Sequence, residues 1–286
     1  MIPSRYRMLE AIIPNPTILV NTCVLMFVFV MLNPSPRAAA ATPDLKPSPV
    51  ELPYAKWSDV KSSRVNSRTA SCDGGITQVY LYFSPDGKNR DVQKKEKGDL
   101  LPAVVLLHGA GDGAANMVDA WKPLARKEKI ILLAPELPRD PKFEDAAPRI
   151  FRCVVEDARK VQALGIDPQR VYLFGNSMGG YLAFDGAMFE SQYFAGVVVH
   201  ADRIADDYTG IVARAVRKTP IAIYIGDRDQ FFSVERVRQT RDLLLKSGFP
   251  VHYVEMANHD HNYYARADEI NADAWKFMQE SILPSP

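Results

Sequence analysis

One serine of the chain stands where a nucleophile would be expected. Ser177 lies in the stretch GNSMGG, Gly175–Gly180, with glycines two residues before and two residues after it. An apolar run, VYLF, precedes the stretch and a helix-like run, YLAF, follows it. Small neighbours allow a tight turn from a strand into a helix, and such a turn exposes the hydroxyl beside helix N–H groups. The pattern predicts that Ser177 is a nucleophile.

A serine hydroxyl needs a base to remove its proton, and an acid usually orients that base. Asp227 and Asp229 follow the apolar run PIAIYIG, and His259 and His261 follow the run VHYVEM. Both pairs come at the carboxyl end of a predicted strand, where open α/β sheets place their sites. The order Ser, Asp, His therefore predicts a catalytic triad, with two candidates for each of the last two positions.

Acyl transfer also needs two N–H donors aimed at the developing oxyanion. The residue after the nucleophile, Met178, is the first candidate. The second is Ala110, in the glycine-rich stretch LLHGAGDG that follows another apolar run. His108, in the same stretch, is predicted to brace the loop.

Four aromatic residues near these segments are candidates for contact with a substrate, and core packing is as good an account of each one. They are Trp121, Tyr181, Phe231 and Tyr263. The sequence HDH brings two histidines together without a further set of ligands at metal spacing, so we predict neither a metal nor a cofactor.

Elements that could position these residues alternate along the chain. Seven short apolar runs read as strands, and helical spacing fits the segments 116–129, 149–164, 234–247 and 265–282, with a further helix after Ser177. Continuous Val, Ile and Leu runs separated by helices indicate a parallel sheet buried on both faces. The predicted fold is α/β, a mostly parallel central sheet with helices on both faces. Only residues 201–219 separate two of the strands, so any cap is small.

The amino-terminal region differs from the rest. Arg5 and Arg7 precede an apolar run at Ile18–Leu32, and small residues follow in SPRAAAATPD. This order is typical of a secretory signal. We predict a signal peptide at 1–41, a proline-rich lead-in at 42–70 and a catalytic domain at 71–286, in a secreted or periplasmic protein. An uncleaved membrane anchor is the alternative.

Charge and cysteine content indicate which partners and which cross-links the chain could have. The chain has 35 basic and 34 acidic residues and a formal charge of +1, which gives no basic excess for nucleic acid. We expect no stable membrane partner once the signal is removed. Cys72 and Cys153 remain in the exported part, and the sequence leaves open whether they form a disulfide.

The motifs resemble those of the α/β-hydrolase superfamily over roughly residues 100–280. The stretch IDPQRVYLFGNSMGGYLA is similar to the esterase branch that holds poly(3-hydroxybutyrate)-depolymerase-like and feruloyl-esterase-like proteins. GDRDQF and DHNYY are similar to the acid and base segments of S-formylglutathione hydrolase and its esterase D relatives. This resemblance implies Asp229 as the acid and His261 as the base. Dienelactone hydrolases place the base directly after the last strand, a register that implies His259 instead.

The resemblance implies a serine ester hydrolase that acts on a small-molecule or polymeric ester, such as a polyester or a feruloyl or acetyl ester. The predicted signal implies that it is exported, in which the chain departs from the formylglutathione hydrolases. His259 is expected to pack at the outer edge of its loop. A serine peptidase of the same superfamily and a non-catalytic homologue that binds a ligand are the alternatives.

Overall fold

A computed structural model describes residues 65–85, 100–138, 140–161 and 164–284 of the chain. All of them belong to one compact unit, Val60–Pro286. The predicted signal peptide and most of the predicted lead-in lie outside the described residues. Within these ranges, no helix has both the length and the apolar character needed to cross a membrane.

The centre of the molecule is an eight-stranded sheet with the strand order β1-β2-β4-β3-β5-β6-β7-β8. Pairing is antiparallel for β1 with β2 and for β2 with β4, and parallel for all other neighbours. The strands are β1 (Asn66–Ser71), β2 (Thr77–Phe83), β3 (Leu101–Leu107), β4 (Ile131–Pro135), β5 (Ile166–Asn176), β6 (Gly196–His200), β7 (Ile221–Gly226) and β8 (Val251–Met256). This architecture confirms the predicted α/β fold.

Among the described residues, five α-helices cover the sheet. They are α1 (Ala114–Glu128), α2 (Pro141–Arg159), α3 (Met178–Phe189), α4 (Val234–Lys246) and α5 (Ala267–Gln279). Helices α1 and α5 contact each other, α2 contacts α3, and α4 lies on β7 and β8. A short 3₁₀ segment, Asp206–Arg214, contacts α3 and occupies the connection between β6 and β7. The sequence predicted that any cap would be small, and we refer to this segment as the cap.

Burial explains why the central strands are apolar throughout. Every residue of β3, β4, β6 and β7 is buried, because helices cover both faces of the sheet. On the face of α1 and α5, one cluster joins Trp121 of α1, Phe174 of β5 and Trp275 of α5. Full burial of one large apolar side chain contributes about 1.5–3 kcal/mol to folding, so this layer holds the strand ends in fixed positions.

The sheet begins earlier than the predicted catalytic domain. Strand β1 falls at the end of the stretch assigned to the lead-in, so the boundary at residue 71 moves to Asn66 or before. This strand was missed because it is polar: in NSRTAS only Ala70 is buried. An edge strand with one covered position has no apolar run to reveal it.

A disulfide joins Cys72, directly after β1, to Cys153 in α2. The same two elements are joined by an ion pair in which Arg68 Nε lies 3.0 Å from Asp157 Oδ2. Tyr80 of β2 donates its hydroxyl to the same carboxylate at 2.8 Å. A cavity of about 240 Å³ lies beside the disulfide and shares no residue with the serine site.

Candidate active site

The turn that carries Ser177 is strained and closely held. Strand β5 ends at Asn176 and helix α3 begins at Met178. Ser177 lies between them with φ 52° and ψ −120°, a conformation that costs a non-glycine residue on the order of 1–3 kcal/mol. Its N–H donates to the carbonyl of His200 at 2.9 Å. The strain is retained because the surrounding strands and the helix fix the backbone on both sides.

Two glycines of the motif have no room for a side chain. A Cβ at Gly175 would lie 2.1 Å from the carbonyl oxygen of Gly179, and one at Gly179 would lie 2.1 Å from that of Leu107. Both obstacles are backbone atoms, which cannot move without shifting β3 or α3. The glycines therefore bring the first turn of α3 against the sheet, and Ser177 stands at the resulting corner.

Ser177, His261 and Asp229 form a continuous series of hydrogen bonds. His261 Nε2 lies 2.9 Å from Ser177 Oγ, and His261 Nδ1 lies 2.7 Å from Asp229 Oδ2. The Asp229 side chain is fully buried, and that of His261 is 18% exposed. Asp227 is exposed to solvent. Of the alternatives that the sequence left open, the structure brings Asp229 and His261 to the serine.

The environment of Asp229 keeps its carboxylate charged. Burial alone would raise its pKa, but the hydrogen bond from His261 and those from two backbone N–H groups outweigh burial and lower the pKa. The N–H groups of Phe231 and Phe232 both donate to Asp229 Oδ1 at 2.8 Å. A charged acceptor at Nδ1 makes this nitrogen the donor, which leaves Nε2 of His261 free to accept the serine proton.

The prediction that His259 packs at the outer edge of its loop is wrong. His259 is 2% exposed, and its Nε2 lies 3.0 Å from Nε2 of His200. The prediction assumed an extended loop, but Asn258 has φ 57° and turns the chain. Gly226 lets the loop approach β7, since a Cβ there would lie 2.1 Å from the carbonyl oxygen of His259. His259 therefore points into the protein.

His200 and His259 connect the serine turn to the base loop beneath the site. Nδ1 of His200 lies 2.8 Å from Asn176 Oδ1, so this nitrogen donates and Nε2 accepts from His259. His200 is fully buried. Burial and the neighbouring His259 lower the pKa of His200 to about 3. Burial and the charge of Arg266 also lower the pKa of His259. Both rings are therefore neutral at neutral pH.

The candidate oxyanion donors belong to two segments that adjoin Ser177. Met178 is the first residue of α3, where the N–H groups of a helix have no partner within the helix. Ala110 follows Gly109, at which a Cβ would lie 3.6 Å from Ser177 Cβ. His108 braces this loop as expected: its Nδ1 donates to the Gly109 carbonyl at 2.8 Å and its Nε2 accepts from an N–H after β4 at 3.0 Å.

The four aromatic candidates divide into two pairs. Trp121 and Tyr263 are 0% and 1% exposed, so the prediction that they contact a substrate is corrected: both belong to the core beside Phe174. Phe231 is 55% exposed, and its ring centroid lies 4.7 Å from that of His261. Tyr181, in the first turn of α3, is half-buried and its ring meets that of Tyr208 in the cap.

Sequence reasoning missed the contribution of three polar residues. Asn176 and His200 link the serine turn to His259 by hydrogen bonds, and Asp112 lies in the loop of Ala110. The first two end strands β5 and β6, a position that could have singled them out. No group of three His, Cys, Asp or Glu side chains that could hold a metal ion occurs among the residues described here.

The sheet order, the strand–serine–helix turn and the Ser–His–Asp series define an α/β protein with a serine-centred polar site at the carboxyl ends of its strands. Residues 104–281 match the model of the alpha/beta hydrolase family, and the chain belongs to this family. No curated protein matches the chain significantly.

Solved structures share the fold at low sequence identity. A thermostable esterase has 22% identity and a TM-score of 0.57, over 76% of this chain and 63% of its own. An S-formylglutathione hydrolase from Staphylococcus aureus has 17% identity and a TM-score of 0.59, over 75% and 95%. A putative dipeptidyl aminopeptidase IV from Bacteroides ovatus has 13% identity and a TM-score of 0.60, over 76% of this chain and 36% of its own.

Proposed function

We propose that the protein is a serine ester hydrolase that works through an acyl-enzyme. The observation that carries this proposal is the hydrogen-bonded series Ser177–His261–Asp229, with distances of 2.9 and 2.7 Å. A base within hydrogen-bond reach of a hydroxyl, itself held by a buried carboxylate, is the arrangement that activates a serine.

In the first half of the proposed reaction, Ser177 Oγ attacks the ester carbonyl carbon while His261 Nε2 takes the hydroxyl proton. The carbonyl electron pair moves to oxygen, which the N–H groups of Ala110 and Met178 stabilise. The intermediate then collapses and the bond to the alcohol oxygen breaks. His261 gives its proton to the departing alcohol, and the acyl group stays on Ser177.

In the second half, water attacks the acyl carbon and His261 takes a proton from it. Collapse of this second intermediate releases the acid and returns the proton to Ser177 Oγ. Asp229 keeps its charge throughout and stabilises the imidazolium that forms twice in the cycle. The exposed ring of Phe231 beside His261 supports binding of an apolar or aromatic group on the ester.

Export is a further part of the proposal. The basic start, apolar run and alanine cluster of residues 1–41 are typical of a secretory signal. The disulfide between Cys72 and Cys153 agrees with an oxidising compartment. A secreted or periplasmic enzyme would act on esters outside the cytoplasm, which include polymeric ones.

Fluorophosphonate labelling and hydrolysis of short p-nitrophenyl esters test the proposal. Ser177→Ala should abolish both, and His261→Ala should lower kcat about as far, because residues of a triad act as a unit. Ser247→Ala is a matched control, because Ser247 caps the carboxyl end of α4, at the opposite end of this helix from the acid loop. Hydrolysis that persists in Ser177→Ala would refute the mechanism. A preference for amides over esters would favour the peptidase alternative.

A further inference from the structure

The loop that carries Ala110 is a tight turn with few side chains of its own. The N–H of Asp112 donates to the carbonyl of Gly109 at 3.3 Å, which closes a four-residue turn with Ala110 as its second residue. Gly111, the third residue, has φ 79°, as a type II turn requires. Glycine at positions 109, 111 and 113 makes this backbone intrinsically mobile. Some contact must therefore hold the Ala110 N–H in place.

Asp112 supplies that contact through both of its carboxylate oxygens. Oδ1 accepts from Asn116 Nδ2 at 2.7 Å, in the first turn of α1. Oδ2 accepts from the hydroxyl of Tyr264. The first bond is local, four residues along the chain, whereas the second spans 152 residues. His108 also braces the turn, at the Gly109 carbonyl, but of these bonds only that of Tyr264 reaches the loop that carries His261.

Tyr264 lies three residues after His261, in the 3₁₀ segment Tyr263–Arg266. Its ring meets that of Tyr263 with centroids 5.0 Å apart. Tyr263 is in turn buried and donates its hydroxyl to Asn271 Oδ1 of α5 at 2.6 Å. Tyr264 is itself partly exposed, and the buried Tyr263 holds its ring on one side. Its segment is continuous with the base loop.

We propose that Tyr264 and Asp112 are a positioning pair that fixes the Ala110 N–H relative to Ser177 and His261. The inference rests on the proposed function, in which neither residue touches the reacting atoms. The triad hydrogen bonds connect the serine turn, the acid loop and the base loop, and the Tyr264–Asp112 bond connects the base loop to the remaining loop. With it, all four loops of the site form one framework.

The chemistry of the bond suits this role. A phenol that donates to a carboxylate makes a charge-assisted hydrogen bond, which is shorter and stronger than a neutral one. Burial and the neighbouring Asp112 carboxylate raise the pKa of Tyr264, so the phenol keeps its proton at neutral and mildly alkaline pH.

Tyr264→Phe removes the bond and keeps the ring. Loss of a whole oxyanion donor lowers kcat about 10²–10³-fold, so loss of a group that only positions the donor should lower it about 10-fold or somewhat more. KM should change much less. Asp112→Ala should match Tyr264→Phe, and the double variant should be no worse than either single one. Asp112→Asn keeps an acceptor oxygen and should restore most of the activity.

A trifluoromethyl ketone inhibitor gives a readout that a purely structural role would not move. It adds to Ser177 as a tetrahedral oxyanion, so its inhibition constant should rise by the same factor as kcat/KM falls. Tyr193→Phe is the matched control. The Tyr193 hydroxyl donates to the Glu156 carboxylate at 2.7 Å, and neither residue belongs to the site. It should leave both values at the wild-type level.

The outcomes separate this inference from the proposed function. If wild-type protein hydrolyses esters and Tyr264→Phe equals it in kcat and in inhibitor affinity, the inference is wrong and the function stands. A kcat loss with unchanged inhibitor affinity also overturns the inference. If wild-type protein hydrolyses no ester, the proposed function fails and the inference fails with it. Should Tyr264→Phe not fold, the contrast between Asp112→Asn and Asp112→Ala decides.

Discussion

Mild acid should lower the free energy of unfolding at a pH where the carboxylates are still charged. The cause is the buried pair His200 and His259. Burial lowers the pKa of His200 from 6.5 to about 3, and it lowers that of His259 as well. In the unfolded chain both imidazoles take up a proton near pH 6.5. The unfolded state thus binds more protons than the folded state below this pH. The stability of the folded state is complete above pH 6.5 and falls as the pH decreases.

The size of the effect follows from the two pKa values of His200. Between pH 7 and pH 5 the unfolded histidine gains about 0.7 of a proton and the folded one gains almost none, so the free energy of unfolding should fall by about 2 kcal/mol. The figure changes little if the folded pKa is a unit higher, since pH 5 remains above it. His259 shifts in the same direction and adds to the loss. Carboxylates such as Asp229, with an ordinary pKa of 3.8, contribute only at lower pH.

Urea unfolding at pH 7, 6 and 5, followed by tryptophan fluorescence with the disulfide intact, measures the loss. His200→Asn should be less stable at pH 7 and should lose about 2 kcal/mol less than wild type between pH 7 and 5. His252→Asn is the matched control, since His252 is 41% exposed and pairs with Asp273. It should keep most of the wild-type decline. A free energy of unfolding that stays level between pH 7 and 5 would refute the reasoning.

Three further predictions concern other parts of the chain. Asp229→Asn should lower kcat by about 10³–10⁴-fold by disturbing the imidazole, and Asp227→Asn should change it far less, as steady-state kinetics on one ester would show. Replacing Cys72 and Cys153 by serine should lower the free energy of unfolding by about 4.5 kcal/mol, the entropy of closing a loop of roughly 81 residues; urea unfolding that detects no loss would contradict this. Exported protein should begin near Ala41, and amino-terminal sequencing that returned Met1 would favour the anchor.

Most of the fold could be predicted because buried strands and amphipathic helices leave strong patterns. The apolar runs that became β3 to β8 needed no tertiary information. Helix α2 shows the limit: it begins at Pro141, eight residues before the predicted start at Arg149. The proline at position 148 and the charged residues around it are untypical of a helix interior, so the sequence did not predict the first two turns of α2. Proline inside a helix removes a hydrogen bond that neighbouring elements must offset, and sequence alone does not show those neighbours.

The site was predictable wherever chain order and residue type sufficed, and not where burial decided. Ser177, Asp229 and His261 meet at hydrogen-bond distance because strand order brings their loops to one edge of the sheet. Trp121 and Tyr263 could not be assigned to the core, since an aromatic residue near a loop fits a pocket and a core equally well. The position of His259 depends on the turn at Asn258, just after the end of β8, which no residue pattern indicates.

The bond between Cys72 and Cys153 has a consequence for how copies of the protein behave toward each other. Strand β1 covers the edge of β2, whose side chains include Tyr80, Leu81 and Phe83. An uncovered edge of this kind is a template for pairing with another chain. By holding the polar β1 against α2, the disulfide keeps that edge occupied. Reduction would therefore promote self-association into aggregates, even while the triad residues, which follow β5, β7 and β8, stayed in place.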